Sequence, residues 1–299
     1  MPETLTIWRF TDGKPGHENQ SLGLVKALAD QAAVSVQDIS VRKGWHNLFN
    51  WLLGRCPDRP QTRPDLLVGA GHATHLPLLA CRRCCGGKAL VLMKPSLPSA
   101  WFDFCIVPQH DGVAASEKVL LTQGVLNPVS VGEKRADAPV LILLGGPSAE
   151  YAWDEQGLVE QIAALTRSGE TDYLVAGSRR TPATTIQRLR SIAGPTVKVL
   201  AQEDTEPGWL TSVLAGTREA WITEDSVSMV YEALTAGAAC GLLTVPLKKP
   251  GRVAQGVKSL VRDGVVTTFE SFQQGRALCK PETPFNEAAR AAQWVLAHV

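Results

Sequence analysis

Apolar positions along this chain fall into short runs separated by polar, glycine-rich turns and by stretches with helical spacing. The runs Leu5–Phe10, Asp65–Val68, Ala89–Met93 and Phe104–Val107 predict a first set of strands, with helices over Gln20–Ala32 and Leu76–Arg82 between them. Val140–Leu144, Tyr173–Ala176, Val197–Leu200, Ala220–Ile222 and Gly241–Val245 predict a second set. Strand and helix alternating in this way specify α/β domains with parallel sheets, because each crossover helix covers a sheet face. Ser130–Pro139 is polar and turn-forming, which sets two Rossmann-like halves at 1–132 and 139–281. A last helix is expected within 283–299, starting after Thr283 with Pro284 in its first turn.

The most informative stretch runs from Trp221 to Glu232. It reads as a buried strand that stops at a polar turn and restarts as a helix. Thr223, Asp225 and Ser226 are good cap residues, and Val227, Val230, Ala233 and Leu234 form an apolar stripe. A helix that begins at the carboxyl end of a strand presents unpaired N–H groups and partial positive charge, which suits an anion. Glu232 lies within two turns of that start, where a carboxylate can accept hydrogen bonds from sugar hydroxyls. Phosphate plus ribose means a nucleotide; the plainer alternative is a capped helix with a surface glutamate.

The length of 299 residues suits two domains, and 44% hydrophobic against 20% charged residues describes a globular protein. A net charge of +1 gives no reason to expect nucleic acid as a partner. No apolar run approaches the roughly 18 residues of a membrane span. The seven cysteines are Cys56, Cys81, Cys84, Cys85, Cys105, Cys240 and Cys279, and the N-terminus is too polar for a secretory segment. Free thiols in a reducing, cytoplasmic compartment are therefore expected. Cys81-x-x-Cys84-Cys85 resembles half of a zinc knuckle with no second half at a recognisable spacing, and reads as reduced thiols on a helix end. His72-x-x-His75 likewise lacks a partner at metal-site spacing, so no metal is expected.

Each half opens on a strand that runs into a turn of small residues. The first is Thr11-Asp12-Gly13-Lys14-Pro15-Gly16-His17-Glu18, the second Gly145-Gly146-Pro147-Ser148. Neither fits the dinucleotide fingerprint or the lysine-serine phosphate loop, but open α/β sheets bind ligands beyond their strands' carboxyl ends. A third turn, Gly177-Ser178-Arg179-Arg180-Thr181, offers two guanidinium groups to a diphosphate. His17, beside Asp12, Lys14 and Glu18, is the ionisable group best suited to proton transfer near neutral pH; the alternative is a loop-capping histidine. Trp45, Phe49 and Trp51 stand in an aromatic, aliphatic stretch. Nine basic and two acidic residues occur between Arg42 and Lys94. Such a face lies either in an anionic membrane interface or over a core with a cationic rim.

Several of these segments together resemble one family. They are residues 11–21 (Thr-Asp-Gly-Lys-Pro-Gly-His-Glu-Asn-Gln-Ser), 69–75 (Gly-Ala-Gly-His-Ala-Thr-His) and 107–111 (Val-Pro-Gln-His-Asp). To these are added 145–148 (Gly-Gly-Pro-Ser), 178–182 (Ser-Arg-Arg-Thr-Pro) and 223–229 (Thr-Glu-Asp-Ser-Val-Ser-Met). The chain is similar throughout to the Elm-type family, named for a plant mitochondrial-fission protein, whose bacterial members are described as glycosyltransferases or nucleoside-diphosphate-sugar epimerases. The resemblance implies a GT-B-like architecture: two Rossmann-like domains facing across a cleft, the last helix packing back on the first. It implies a nucleotide-sugar donor on the second domain, held by Gly145, Gly146, Ser148, Ser178, Arg179, Arg180, Glu224, Asp225, Ser226, Ser228 and Glu232. Pro147 departs from the pattern by removing one N–H. The acceptor side is drawn from Gly13, Lys14, Gly16, His72, His75 and His110, with His17 as catalytic base and Asp12 orienting it.

The expected function is a glycosyltransferase that carries sugar from a nucleotide-sugar to a hydroxyl acceptor such as an envelope glycan or glycolipid. The donor is a substrate and no cofactor is expected. A nucleotide-sugar 2-epimerase on the same fold and a non-catalytic membrane adaptor are the alternatives. The expected place is the cytoplasm, with peripheral contact on the inner face of a membrane through Trp45, Phe49 and Trp51.

Overall fold

A computed structural model describes residues 4–41, 44–280 and 285–299. The chain forms two compact units, one comprising the residues up to Pro128 with Asn286–Val299, the other Val129–Phe285. The division thus falls at Val129, just ahead of the polar stretch expected to carry it. Val129 is itself buried.

In the first unit the elements run β1 (Leu5–Thr11), α1 (Pro15–Ala29), β2 (Val34–Ser40), α2 (His46–Leu53), β3 (Leu66–Ala70) and α3 (His72–Cys85). They continue with β4 (Lys88–Leu92), β5 (Phe104–Pro108) and β6 (Val119–Thr122). All six strands are parallel, in the order β2-β1-β3-β4-β5-β6. Strands β3 and β5 are buried at every position, which is why they read as unbroken apolar runs. Their side chains alternate between two cores. Ile7, Leu66, Val68, Leu90 and Ile106 face α1, whereas Trp8, Leu67, Val91 and Cys105 face α3.

The second unit runs β7 (Val140–Leu144), α4 (Glu155–Leu165), β8 (Tyr173–Gly177), α5 (Ala183–Ile192), β9 (Val197–Leu200) and α6 (Trp209–Gly216). Then come β10 (Glu219–Thr223), α7 (Val227–Ala236), β11 (Ala239–Leu243), α8 (Arg252–Arg262), β12 (Thr267–Thr268) and α9 (Phe269–Gln273). This sheet is also parallel and six-stranded, ordered β12-β11-β10-β7-β8-β9.

The chain ends in α10 (Glu287–Leu296), which packs its small residues Ala288, Ala291 and Ala292 with Val295 into the α1 side of the first unit. The residues expected to open it, Thr283 and Pro284, lie outside the described residues; the helix begins at Glu287, capped by the Asn286 side chain accepting from the Ala289 N–H at 2.9 Å.

The expectation of free thiols throughout is corrected. Cys56 and Cys81 form a disulfide, 25 residues apart in sequence. Cys56 follows the glycine that ends α2, and α2 packs along α3, so the two cysteines meet through tertiary structure that no local spacing announces. Cys84, Cys85, Cys105, Cys240 and Cys279 are free.

Candidate functional site

Both sheets have one point where successive connections leave in opposite directions, and open α/β sheets bind ligands at such points. In the first sheet it lies between β1 and β3, in the second between β7 and β10. The sequence-predicted residues cluster at both.

At the first, the β1–α1 turn carries Asp12 and His17. The Asp12 side chain is fully buried and accepts a hydrogen bond from His17 Nδ1 at 2.9 Å and one from the Lys14 N–H at 3.2 Å. A carboxylate fixed on Nδ1 sets the imidazole tautomer and leaves Nε2 as the working nitrogen. Glu18, which sequence reasoning left out of the site, accepts from the Gly13 N–H at 3.0 Å and closes the turn. The ring of His17 lies against Gly71, the residue before α3. A Cβ there would stand 2.2 Å from His17 Cε1, and φ is +81°. Glycine at 71 is thus required twice, for its backbone and for the room it gives the imidazole.

The remaining expected residues of this end divide. Gly16, Lys14 and His72 are exposed, and His110 stands half-buried after β5. His75 is different: it is buried, packs edge-on to Phe102 and has Nδ1 3.2 Å from Ser96 Oγ. Burial, with a smaller contribution from His72, lowers its pKa to about 4, so it is a neutral packing residue at working pH.

At the second switch point the Gly145-Gly146 turn is held from three sides. The Gly145 N–H donates to Thr223 Oγ1 at 2.8 Å and the Gly146 N–H to Asp225 Oδ2 at 2.9 Å. Arg180 donates to the same carboxylate at 2.8 Å and to the Gly146 carbonyl at 2.7 Å. Ser178 Oγ donates to the Gly145 carbonyl at 2.9 Å. Ser148 Oγ accepts from the Tyr151 N–H at 3.0 Å. The N–H groups that sequence reading offered to a phosphate are therefore spent inside the protein, and Arg180 with them. Thr181 and Thr223, which that reading passed over, pin the turn: Thr181 Oγ1 accepts from the Ser178 N–H at 2.8 Å. What stays open is Arg179, exposed and in no ion pair among the described residues, and the start of α7. There the N–H groups of Val227 and Ser228 meet no backbone acceptor among the described residues. Asp225 Oδ1, on a side chain with no exposure, also lacks a described partner.

Burial pushes the Glu232 carboxyl up to about 7. It does the same to Glu224, with the Asp225 charge adding to the rise and a backbone hydrogen bond from Val245 opposing it. A carboxyl raised above its unfolded value near 4.3 binds its proton more tightly in the folded chain. Its burial is therefore tolerated fully at low pH and costs stability as pH rises through 7. Glu232→Gln is expected to be more stable than the parent at pH 8 by about 2–3 kcal/mol. The gap should vanish near pH 4. Urea unfolding at both values checks this, and an equal gap at both would show that burial does not govern the group.

The fold, two parallel six-stranded sheets with their helices, is GT-B-like. Solved structures agree over almost the whole chain. A protein assigned as a UDP-N-acetylglucosamine 2-epimerase from Listeria monocytogenes superposes with a TM-score of 0.62 at 11% identity, covering 98% of this chain and 95% of that one. MnaA of S. aureus, in a co-structure with UDP, gives 0.53 at 12%, covering 98% and 95%. A family 9 glycosyl transferase from Veillonella parvula gives 0.52 at 11%, covering 90% and 95%. No protein of curated function matches the sequence. Residues 15–299 match the family model for mitochondrial fission ELM1, and the chain belongs to that family.

Proposed function

We propose that the chain is a glycosyltransferase that takes its sugar from a nucleoside-diphosphate donor. The observation that carries this reading is the second switch point: an open helix start at α7, an exposed Arg179 in no ion pair among the described residues and the half-buried carboxyl of Glu232, on a fold shared with a UDP-bound protein. The diphosphate sits at the Val227 and Ser228 N–H groups, with Arg179 offsetting its charge. Ribose hydroxyls donate to Glu232. On the first unit, His17 Nε2 takes the proton of the acceptor hydroxyl as that oxygen bonds to the sugar's anomeric carbon. The bond from that carbon to the diphosphate oxygen breaks, and the electron pair leaves with the nucleotide. Asp12 stabilises the imidazolium so formed.

A thermal-shift panel of nucleotide-sugars tests the donor. The right one, at 100 times its dissociation constant, should stabilise the chain by about 2.7 kcal/mol. No shift with any of them returns the protein to the adaptor class. Incubation with the responding donor alone then separates two reactions: an epimer identifies a 2-epimerase, slow hydrolysis a transferase awaiting its acceptor.

A lipid-linked acceptor is favoured by α2. Trp45 is 77% exposed, and Leu48, Phe49, Leu52 and Leu53 are exposed beside it, with Arg55, Arg59 and Arg83 nearby in sequence or space. Trp51 does not share that face: it stacks on Trp101 with ring centroids 5.3 Å apart and packs against the α3-side core. Peripheral binding to an anionic cytoplasmic leaflet through Trp45 and Phe49 is the proposed consequence. The protein should co-sediment with anionic vesicles in low salt and release in high salt; sedimentation unchanged in Trp45→Ser/Phe49→Ser would remove α2 from the contact.

A further inference from the structure

Four of the seven cysteines converge at one place, where the chain after α2 meets the last turns of α3. Cys81, Cys84 and Cys85 lie on α3, spaced so that successive turns present them to one side, and Cys56 faces them from the loop. The sulfurs of Cys56, Cys84 and Cys85 all lie within 4.8 Å of one another, and the sulfur bonded to Cys56 belongs to Cys81. Cys84 and Cys85 are neighbours in sequence, yet their sulfurs are 3.0 Å apart, so both point into the same cluster. The cluster is reachable: Cys84 is exposed and Cys56 and Cys85 are half-buried.

Two further observations bear on what this cluster does. Helix α2 has no buried residue and packs on the α3-side core through the half-buried Trp51. A crosslink between Cys56 and the end of α3 strengthens that hold. The disulfide, however, uses two sulfurs and leaves the other two as adjacent thiols, and disulfides do not persist in reducing compartments. A tetrahedral ion with sulfur ligands at about 2.3 Å holds its four sulfurs roughly 3.8 Å apart. To reach it the Cys84–Cys85 pair, now 3.0 Å apart, must open, and the bonded Cys56 and Cys81 sulfurs must part once reduced. The cationic side chain of Arg83 lies against Gly54 at the end of α2, and Arg55 and Arg59 flank Cys56 in sequence, so the surroundings suit the net negative charge of a four-thiolate site.

We propose that, in the reduced chain, Cys56, Cys81, Cys84 and Cys85 form a structural four-thiolate site for a soft divalent cation, zinc above all, that clamps α2 to α3. Its formation balances in two steps. A thiol or phosphine reductant supplies two electrons, and two protons are taken up as the Cys56–Cys81 bond opens to two thiols. The cation then displaces the four thiol protons as four sulfur–metal bonds form. The proposal is independent of the donor site on the other unit.

Cobalt(II) titration of the full chain tests it, because a tetrahedral thiolate site gives intense sulfur-to-metal charge-transfer and visible bands that octahedral aquo-cobalt lacks. The reduced protein should bind one equivalent with those bands, zinc should displace it stoichiometrically, and zinc should raise the unfolding temperature. The oxidised, disulfide-linked chain should lose the signal, a comparison that needs no substitution and no refolding. Cys84→Ser/Cys85→Ser, checked for fold by circular dichroism, should lose it as well. Absence of the tetrahedral bands in the reduced chain, or their full retention in the oxidised chain or the double variant, overturns the site.

Discussion

His17→Ala is expected to lower sugar transfer by about 10²–10⁴-fold, the usual contribution of a general base, with donor affinity nearly unchanged. The separation of the two effects follows from where the residues sit. His17 and Asp12 belong to the first unit, and every group assigned to the donor belongs to the second. The imidazole is not free to be replaced by a neighbour: His75 is buried with its pKa lowered to about 4, and His72 and His110 stand on other strand ends without the Asp12 contact. Steady-state kinetics with saturating donor and acceptor, alongside a donor-binding titration, give both numbers. Retained turnover would remove His17 from the chemistry. A fall in donor affinity instead would reverse the assignment of the units.

The second large effect is expected at Asp225. Its carboxylate alone joins the Gly146 N–H to the Arg180 guanidinium, from a side chain that water does not reach. Asp225→Ala leaves a buried N–H without an acceptor and Arg180 with its Gly146 carbonyl contact but no carboxylate, so about 3 kcal/mol of folding stability should be lost. Donor affinity should fall with it, since α7 begins two residues later. Asp225→Asn keeps an acceptor oxygen for Gly146 and gives up only the ion pair, and it should lie between parent and alanine variant. Chemical unfolding and nucleotide-sugar titration measure the two quantities; full stability in Asp225→Ala would show that Thr223 and Thr181 hold the turn by themselves.

Most of the strands were legible in the sequence because parallel strands buried on both faces are unbroken apolar runs, as in Val140–Leu144 and Phe104–Pro108. Strand β2 was missed because its polar, exposed alternation at the sheet edge resembles a loop, β6 because it is a four-residue strand at the other edge, and β12 because two residues carry no pattern. The Asp12–His17 pair could be read locally, since its members stand five positions apart at the β1–α1 junction. The Asp225 bridge could not: Gly146 and Arg180 reach it from 79 and 45 positions away, and no spacing rule connects them. Cys56 is the same kind of miss, a partner brought in by the packing of α2 on α3. Periodicity reports which face is buried. It does not report which distant loop supplies the fourth atom.

The close fit around the second turn also restricts how this chain can change. A Cβ on Gly145 would stand 2.1 Å from Asp225 Oδ2, and one on Gly146 2.1 Å from the Arg180 carbonyl oxygen. Each glycine is thereby tied to the length of a side chain, or the path of a backbone, contributed from elsewhere in the chain. Substitutions at these four positions are not independent events: alanine at 145 is barred while aspartate stands at 225, and shortening 225 first forfeits the contact that orders the turn. Any mutational route from this turn to another therefore descends before it climbs, and single-step variation is closed to it.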